Sequence, residues 1–441
     1  MVTIVGVGSW KIKVDYHQVL MSLRSEEVAS RLGVKLETVY AYVSRGVLTA
    51  HRQAGSRQSL FDPEEVERLA RRGRPRRTTR PAALDLIVES GLTTIVDQRI
   101  LYRGRDAGHM ALTDTYEQAA RWLWTGVEGS SGHPWEPYAI SLPDLADPRD
   151  RIRAAVVIGA ANEPLRGDLS TSAVASTTQS LIASMVSSLP ARTDARAARL
   201  VLGRGQSPIR GSIAGRLWAR LSPRRPTPGL VAALNAALVL LADHELSSST
   251  LAARVAASVR ADPFAVVLAG LGPISGALHG GASVLAHQML ATAIERGPSA
   301  ALASALEIHE HLPGFGHRLY PDGDPRAKLL LEMVYESEGY QSPGARAARA
   351  LSEAVSHHSH TQPNVDFALA VLATVARMPP FAGEIVFTVA RTAGWIAHAI
   401  EEYAEAPLRF RARAVGRRTR PDPQHDRRVY AAGPDSALRM M

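Results

Sequence analysis

The 441-residue chain contains no cysteine, which excludes disulfides, thiolate catalysis and cysteine-based metal sites. Its longest apolar runs, Leu230–Ala242 and Phe264–Leu278, are shorter than the roughly 18 residues that a membrane-spanning helix needs. The N-terminus has no basic segment ahead of an apolar stretch, as a signal peptide would have. We therefore expect a soluble, cytoplasmic protein.

Basic residues outnumber acidic ones at both ends of the chain, and acidic residues are in slight excess between them. The net charge of +9 divides into +7 for residues 1–80, +6 for residues 409–441 and −4 for the rest. A basic head can indicate a nucleic-acid partner, and a solvated linker and tail would carry the same charge. The apolar fraction of 46% is typical of a globular chain, and the length predicts two or three domains.

Residues 21–72 are predicted to form a helix-turn-helix module after a leader of residues 1–20. Ser25 can cap a first helix that ends at Gly33, and a second helix follows from about Leu36 to Arg45. The apolar residues that recur at helical spacing, and would form a common core, are Val28, Leu32, Val39 and Val43.

Residues 47–61 read as a hairpin, and another helix begins near Asp62. This order resembles the winged DNA-binding module of the MerR or excisionase type. The residues that would reach bases or phosphates are Lys35, Thr38, Tyr40 and Arg45. Modules of this kind also contact proteins, so DNA is one of two possible partners. Arg72–Pro75 resembles an AT-hook core, although a proline–arginine linker over residues 73–81 has the same composition.

From residue 82 onward the pattern is mainly helical. Alanine-rich segments carry apolar residues three and four positions apart, and glycine and proline mark the breaks between them. The four clearest predicted helices are Gly229–Ala242, Thr250–Val259, Gly281–Glu295 and Arg346–Ser356. Alternating strand patterns are scarce, and Arg99–Arg103 is at most a short strand. The body of the protein should be nearly all-α.

Three stretches stand out because polar residues interrupt the helical pattern beside glycine or proline. They contain His279, His317 and Asp366. Two histidines and a carboxylate can remove a carbon-bound proton, stabilise an enolate oxygen and polarise a second carbonyl. Glycines next to the histidines permit close approach of a ligand, and arginines supply forks that bind carboxylates.

Each stretch also has a purely structural interpretation. A single histidine beside an apolar helix is more often a structural residue than a ligand. Asp366, which follows Pro363 and Asn364, could cap a helix. Asp324 and Arg326 could form a surface ion pair at a turn. These interpretations do not explain why all three stretches occur together.

The chain resembles the citrate synthase family over about residues 91–416. The matching motifs, in chain order, are Tyr102-Arg-Gly104, Ala242-Asp-His244-Glu, Leu278-His279-Gly-Gly-Ala282, Gly314-Phe-Gly-His317-Arg, Asp324-Pro-Arg326-Ala, Pro363-Asn-Val-Asp366-Phe, Ala390-Arg391-Thr-Ala-Gly-Trp395 and Arg409-x-Arg411-Ala. Each motif is moderately specific, and their common order is very specific.

The resemblance implies a role for each site residue. Asp366 would take a methyl proton from acetyl-CoA, His279 would stabilise the enolate, and His317 would polarise the ketone of oxaloacetate. The residues expected to hold oxaloacetate are His244, Arg326, Arg391 and Arg409, the last reaching across a homodimer interface. Main-chain contacts to the coenzyme would come from Leu312, Pro313, Gly314, Phe315 and Gly316. Acetyl-CoA is a co-substrate, and neither a metal nor a permanently bound cofactor is implied.

The resemblance also implies a two-domain body. A mainly α, citrate synthase-like large domain would comprise residues 82–279 and 377–441, and a small domain of residues 280–376 would close over the substrates. The expected enzyme is an acyltransferase of the tricarboxylic acid cycle that makes citrate. Two alternatives stay open: a 2-methylcitrate synthase that uses propionyl-CoA, and a DNA-binding regulator whose citrate synthase-like body senses a metabolite.

Overall fold

The computed structural model of the chain describes residues 23–32, 34, 36–44, 47–52, 59–63, 65–66, 69, 87–129, 133–192, 211–276, 279–309, 311–337 and 339–411. The predicted leader, the basic linker, the AT-hook-like stretch and residues 412–441 lie outside these ranges, as do Lys35 and Arg45. The chain divides into two compact units, Met1–Val88 and Glu89–Met441.

The first unit combines two helices with a small antiparallel sheet. Its elements are β1 (Leu23–Arg24), α1 (Ser25–Leu32), α2 (Leu36–Ser44), β2 (Ala50–Arg52) and β3 (Ser59–Phe61), with strand order β1-β3-β2. The helices confirm the predicted bounds to within a residue at each end. Val28 and Val39 are fully buried in a core that also contains Phe61, so this unit has a hydrophobic core of its own.

The second unit begins with an antiparallel meander and continues as helices. The strands are β4 (Thr93–Val96), β5 (Arg99–Tyr102) and β6 (Arg105–Asp106). The described helices are α3 (Ala107–Thr113), α4 (Tyr116–Thr125), α5 (Pro148–Asn162), α6 (Thr171–Ser188), α7 (Ile213–Leu221), α8 (Pro228–Leu241), α9 (Ser248–Ser258), α10 (Pro263–Ile274), α11 (Ala282–Arg296), α12 (Pro298–Ile308), α13 (Pro325–Glu336), α14 (Pro343–Ser359), α15 (Val365–Val375) and α16 (Ala382–Ala404).

Several helices begin at a cap followed by proline. Asp147, Asp262 and Asp324 each accept a hydrogen bond from a backbone amide two or three residues on, and proline follows each of them at the first helical position. Proline is favoured there because its fixed φ suits the helix and its missing N–H is not needed. One of these caps, Asp324, also belongs to the candidate site.

Helix α16 runs through the middle of the second unit and is almost entirely buried. It passes very close to the end of α8, since a Cβ atom at Gly394 would lie 2.6 Å from Asp243 Oδ1. Only glycine permits this approach. The crossing brings the C-terminal turn of α8, which leads into His244, against the helix that carries Arg391.

Among the described residues, no helix is both long enough and apolar enough to cross a membrane.

Candidate active site

Asp366 lies in the first turn of α15, and it is Asn364 that caps this helix. The Asn364 Oδ1 atom accepts from the Asp366 amide at 3.0 Å, so the interpretation of Asp366 as a cap is wrong. The Oδ1 atom of Asp366 is buried and has no hydrogen-bond partner within the described part of the chain. Burial raises the pKa of its carboxyl to about 7, although nearby Arg326 acts in the opposite direction. Near neutral pH, this group can accept a proton.

Arg326 lies beside that carboxylate and is held by Asp324 in a two-pronged ion pair. Its Nε and Nη2 atoms donate to the two carboxylate oxygens at 2.9 and 2.8 Å. The side chains are 4% and 0% exposed, so the pair is buried and the interpretation as a surface ion pair is wrong. Asp324 also accepts from the Val365 amide at 3.0 Å, which joins α13 to the start of α15.

His317 lies close to Arg326 and projects from the loop before α13. Its Nδ1 atom accepts from the Leu319 amide at 3.1 Å, and its Nε2 atom is 3.3 Å from Arg326 Nη2. A neutral imidazole accepts at one nitrogen only, so these two contacts cannot both be hydrogen bonds. With the proton on Nε2, the ring and the guanidinium would both donate to an oxygen placed between them. Burial lowers the pKa of His317, and the Arg326 charge lowers it further.

His244 follows α8 and faces His317. The two rings are 5.6 Å apart in an edge-to-face arrangement, and His244 Nε2 is 2.7 Å from the hydroxyl of Tyr320. Burial holds the pKa of His244 well below its usual range, and Arg326 and Arg391 add to this effect. The ring is therefore neutral at pH 7 and serves as a hydrogen-bonding group rather than as a cation.

His279 lies in the glycine-rich turn after α10. Its Nε2 atom is 2.8 Å from Ser249 Oγ, and its ring contacts Phe387 edge to face at 5.4 Å. A Cβ atom at Gly280 would lie 2.5 Å from Ile274 O, so only glycine fits next to the histidine. Burial lowers the pKa of His279 to about 4, with a smaller contribution from Arg391, and the ring is neutral at pH 7.

Arg391 is buried on α16, and its guanidinium lies 4.8 Å from the centre of the Phe387 ring. Its Nε atom donates to Leu241 O at 2.8 Å and its Nη1 atom to Ser247 Oγ at 3.3 Å. These acceptors are neutral and the nearby Asp243 carboxylate makes no hydrogen bond to the guanidinium, so its outer N–H groups remain available to an anion. Two buried arginines beside neutral histidines form a site suited to a small dicarboxylate.

Residues 312–316 form a loop that packs across the start of α15. Gly316 N donates to Gln362 O at 2.8 Å, Asn364 N donates to Gly314 O at 2.9 Å, and Asn364 Nδ2 donates to Gly316 O at 3.0 Å. The Phe315 ring lies 4.7 Å from that of Phe367. Of the predicted coenzyme-binding residues, Gly314 (φ +83°) and Gly316 (φ +75°) adopt conformations that favour glycine. Leu312 and Pro313 precede them in the same loop.

Arg409, in contrast, forms an ion pair with helix α16 of the same chain. Its Nε and Nη2 atoms donate to the two carboxylate oxygens of Glu402 at 2.7 and 2.8 Å. Within one chain, the charge of Arg409 is therefore paired with Glu402, and Arg409 does not join His244 and Arg391 in the site. The expectation that it acts across a dimer interface remains a prediction.

Sequence reasoning missed residues that orient the site. Tyr320 and Ser249 each contact a site histidine, and Phe387 lies between Arg391 and His279. Only Tyr320 gave a signal, since it follows His317 by three residues. Ser249 lies on α9, thirty residues before His279 in the turn after α10, and nothing in the local pattern joins the two.

In the first unit, Thr38 and Tyr40 lie on α2, and Tyr40 is 52% exposed. Across the described ranges of both units, no group of three His, Asp or Glu side chains is arranged to hold a metal ion.

Comparison with known families matches both units. The family described as "Citrate synthase, C-terminal domain" matches residues 134–413, and a helix-turn-helix domain family matches residues 22–74. The body therefore has the fold and the ordered motifs of one enzyme family. The chain belongs to the citrate synthase family and carries a helix-turn-helix domain at its N-terminus.

Two curated relatives illustrate the extent of the match. The chain is 36% identical to citrate synthase 2 of Bacillus subtilis over 191 residues, which cover 42% of this chain and 50% of that protein. It is 29% identical to citrate synthase of Mycolicibacterium smegmatis over 333 residues, covering 70% and 86%. The chain spans about half the length of the first curated relatives that it matches.

Solved structures show the same fold. Citrate synthase from Thermotoga maritima superposes with a TM-score of 0.60 at 25% identity, covering 76% of this chain and 94% of that one. A citrate synthase from Thermoplasma acidophilum superposes with a TM-score of 0.59 at 20% identity, covering 76% and 95%. The Thermoplasma structure is a ternary complex with carboxymethyl coenzyme A and oxaloacetate.

Proposed function

We propose that this protein condenses acetyl-CoA with oxaloacetate and water to form citrate and coenzyme A. The observation that carries the proposal is the Asp366 carboxylate. One of its oxygens is buried without a partner in the described chain, close to the buried ion pair of Arg326 with Asp324. A carboxyl whose pKa is raised to about 7 is matched to proton abstraction at neutral pH.

The first step in this mechanism forms the enolate. Asp366 takes a proton from the acetyl methyl group, and His279 donates a hydrogen bond to the thioester oxygen as negative charge develops there. If Ser249 donates its hydroxyl proton to His279 Nε2, the neutral ring carries its own proton on Nδ1. The Nδ1–H group is then the donor to the enolate oxygen. A preorganised donor of this kind is worth roughly 3 kcal/mol in the transition state.

The second step forms the carbon–carbon bond. The enolate carbon attacks the ketone carbon of oxaloacetate, and His317 polarises the ketone and protonates the resulting alkoxide. Arg326 and Arg391 hold the two carboxylates, and His244 adds a neutral hydrogen bond. Water then cleaves the citryl-CoA thioester to release citrate and coenzyme A. Apart from the attacking water, every catalytic group in this scheme is a side chain of the protein, and the scheme calls for no metal.

The coenzyme and the second subunit complete the proposal. The backbone of Leu312–Gly316 would contact acetyl-CoA, because this loop is joined by hydrogen bonds to the start of α15 next to Asp366. Residues 280–376 would close over residues 82–279 and 377–441. The enzyme would be a cytoplasmic homodimer in which Arg409 leaves Glu402 to grip oxaloacetate in the partner's site.

The test is release of coenzyme A, followed with a thiol reagent. The absence of cysteine removes any background from the protein itself. We expect turnover with acetyl-CoA and oxaloacetate, and loss of turnover in Asp366→Ala. A clear preference for propionyl-CoA would change the assignment to 2-methylcitrate synthase. A folded protein that turns over neither thioester would contradict the proposal.

DNA binding is a second candidate function, favoured by the helix-turn-helix match over residues 22–74. Tyr40 is exposed on α2 and Thr38 lies on the same helix, where such modules reach the major groove. A gel-shift titration across a salt series, with Tyr40→Ala as the variant, tests it. Absence of binding even at low salt would leave protein contact as the role of this unit.

A further inference from the structure

A network of buried polar and charged side chains lies next to the candidate site, and the mechanism above does not use it. Asp243, Arg254 and Glu402 are 0% exposed and His398 is 1% exposed. They come from the end of α8, from α9 and from α16. Arg409 joins this group at its outer end through Glu402. The group therefore extends from the C-terminal arginine motif to the residue before His244.

The donor and the acceptor can be assigned for each hydrogen bond in this network. Arg254 Nε donates to Glu402 Oε2 at 3.0 Å, and Arg254 Nη1 donates to Glu401 Oε2 at 2.6 Å. Arg254 Nη1 also lies 2.8 Å from His398 Nδ1. A guanidinium can only donate, so His398 Nδ1 must accept. The proton of the neutral His398 ring is then on Nε2, which donates to Asp243 Oδ2 at 3.2 Å.

At the other end of the network, contacts to Asp243 fix the backbone next to His244. Asp243 Oδ2 also accepts from Thr93 Oγ1 at 2.5 Å. The Tyr102 hydroxyl lies 3.2 Å from the Asp243 amide and 3.0 Å from its carbonyl oxygen. Gly394 leaves no room on the remaining side. Asp243 is therefore held from several directions immediately before His244, whose Nε2 atom lies 2.7 Å from the Tyr320 hydroxyl.

Stability alone is a poor reason for such an arrangement. Buried ion networks are often no more stable than the apolar side chains that would replace them. This one also leaves Asp243 Oδ1 and Arg254 Nη2 buried with no hydrogen-bond partner in the described ranges. Apolar side chains at these positions would avoid the burial of charges and of unpartnered polar atoms. They would not, however, fix the direction of the turn after α8.

We propose that His398 and Arg254 are positioning residues, which act through Asp243 to orient the His244 ring toward the substrate. They touch no reacting atom. The identity of that substrate as oxaloacetate rests on the proposed function. Weakening the network should therefore impair oxaloacetate binding selectively, because His244 and not the coenzyme loop would lose its orientation.

Two variants of His398 test this inference by steady-state kinetics. His398→Leu removes both hydrogen bonds and should raise the KM for oxaloacetate about tenfold, a size typical of small misplacements in a site. The KM for acetyl-CoA should change less than about twofold by the same reasoning. His398→Gln keeps an acceptor and a donor and should recover most of the loss.

Glu384→Gln is the matched control. It removes a buried carboxylate from the same helix, but one that pairs with Arg149 outside the network. We expect it to leave both KM values unchanged. If His398→Leu raises both KM values equally, or leaves the oxaloacetate KM unchanged, the positioning role is overturned.

Should His398→Leu fail to fold, Thr93→Val provides a milder variant, since it removes one hydrogen bond to Asp243 with almost no change of shape. It should raise the oxaloacetate KM by a smaller factor in the same direction, and an unchanged value would count against the proposal.

Side-chain ¹⁵N NMR separates this inference from the proposed function because it needs no turnover. His398 should show its proton on Nε2, and the His244 resonances, assigned with His244→Gln, should shift in Thr93→Val or His398→Leu. A His398 proton on Nδ1, or unshifted His244 signals, would overturn the inference even in an active enzyme. Absence of turnover in the wild-type protein would overturn the proposed function alone.

Discussion

The Asn364 side chain caps α15 by accepting from the amides of Asp366 and Phe367, at 3.0 and 3.4 Å. A capping carboxylate would be stabilised as the anion and would be a weak base. Because Asn364 performs this task, the Asp366 carboxylate two residues later is left buried, with no hydrogen-bond partner for its Oδ1 atom in the described chain. The division of roles between neighbouring residues explains how the first turn of a helix can contain a carboxyl whose pKa is raised to about 7.

Replacement of the base should abolish turnover without preventing substrate binding. We expect Asp366→Asn to lower kcat by about 10³-fold, within the range that general bases contribute. The exposed carboxylate Asp322, which contacts Gln98, provides the control, and Asp322→Asn should retain full activity. Coenzyme A release measures both variants. Equal activity of Asp366→Asn and wild type would exclude Asp366 as the base.

Activity should rise with pH through the titration of Asp366. The carboxyl must be ionised to accept a proton, and its pKa is raised to about 7 by burial. We therefore expect an acidic limb of kcat/KM with a midpoint near pH 7. His279, with a pKa lowered to about 4, stays neutral across this range and should contribute no limb of its own. A pH profile that is flat from pH 5 to pH 8 would contradict the assignment.

The same pKa makes Asp366 costly to stability at high pH. Its carboxyl has a pKa of about 7 in the folded state and an ordinary value of 3.8, so the folded protein binds the proton more tightly. The resulting penalty is absent below about pH 4 and complete above about pH 7. Asp366→Asn should raise the free energy of unfolding at pH 8 by on the order of 4 kcal/mol, and by little at pH 4. Urea denaturation at the two pH values would show the difference, and equal gains would contradict it.

Asp324 should be needed both for the fold and for substrate affinity. Asp324→Asn leaves the Arg326 guanidinium buried without its counter-charge, which typically costs about 3–5 kcal/mol. It also loosens the arginine that would hold oxaloacetate. The control Asp106→Asn breaks the more exposed pair with Arg99 and should cost less than about 1 kcal/mol. Thermal unfolding and the oxaloacetate KM measure both effects, and similar behaviour of the two variants would be evidence against the prediction.

Gly314 and Gly104 form a pair that separates crowding from backbone strain. Their φ angles are +83° and +84°, so alanine is similarly strained at both positions. A Cβ atom at Gly314 would lie 2.9 Å from the Cβ atoms of Ala286 and Phe367, whereas a Cβ atom at Gly104 meets nothing within 4 Å. Gly104→Ala should cost about 1 kcal/mol and leave activity intact. Gly314→Ala should lower the free energy of unfolding by more than this and raise the KM for acetyl-CoA. Equal effects of the two variants on stability and on KM would exclude crowding at Gly314 as the cause.

The four clearest helices of the second unit could be predicted from the sequence to within about three residues at each end. The helix predicted over Gly281–Glu295 is observed as Ala282–Arg296, because apolar periodicity and flanking glycines are local signals. The small meander was harder to predict. Only Arg99–Arg103 gave a strand signal, and β4 and β6 are short segments that depend on pairing with β5.

The part of the site that could not be predicted is the part made by long-range contacts. The pairing of Ser249 with His279, and of His398 with Asp243, joins a helical residue to one in a distant loop or turn. Asp324 was visible in its motif, but its bond to the Val365 amide depends on how α13 packs against α15. Such partners follow from the tertiary packing, for which local propensity carries no information.

The three hydrogen bonds between residues 314–316 and residues 362–364 make the glycine loop and the start of α15 one rigid piece. Any conformational change that moves one must carry the other with it. If the loop holds the thioester, the distance from Asp366 to the methyl group is set during folding and not when the substrates arrive. The closure proposed above would then control access to the reaction, while the alignment for proton transfer would stay constant.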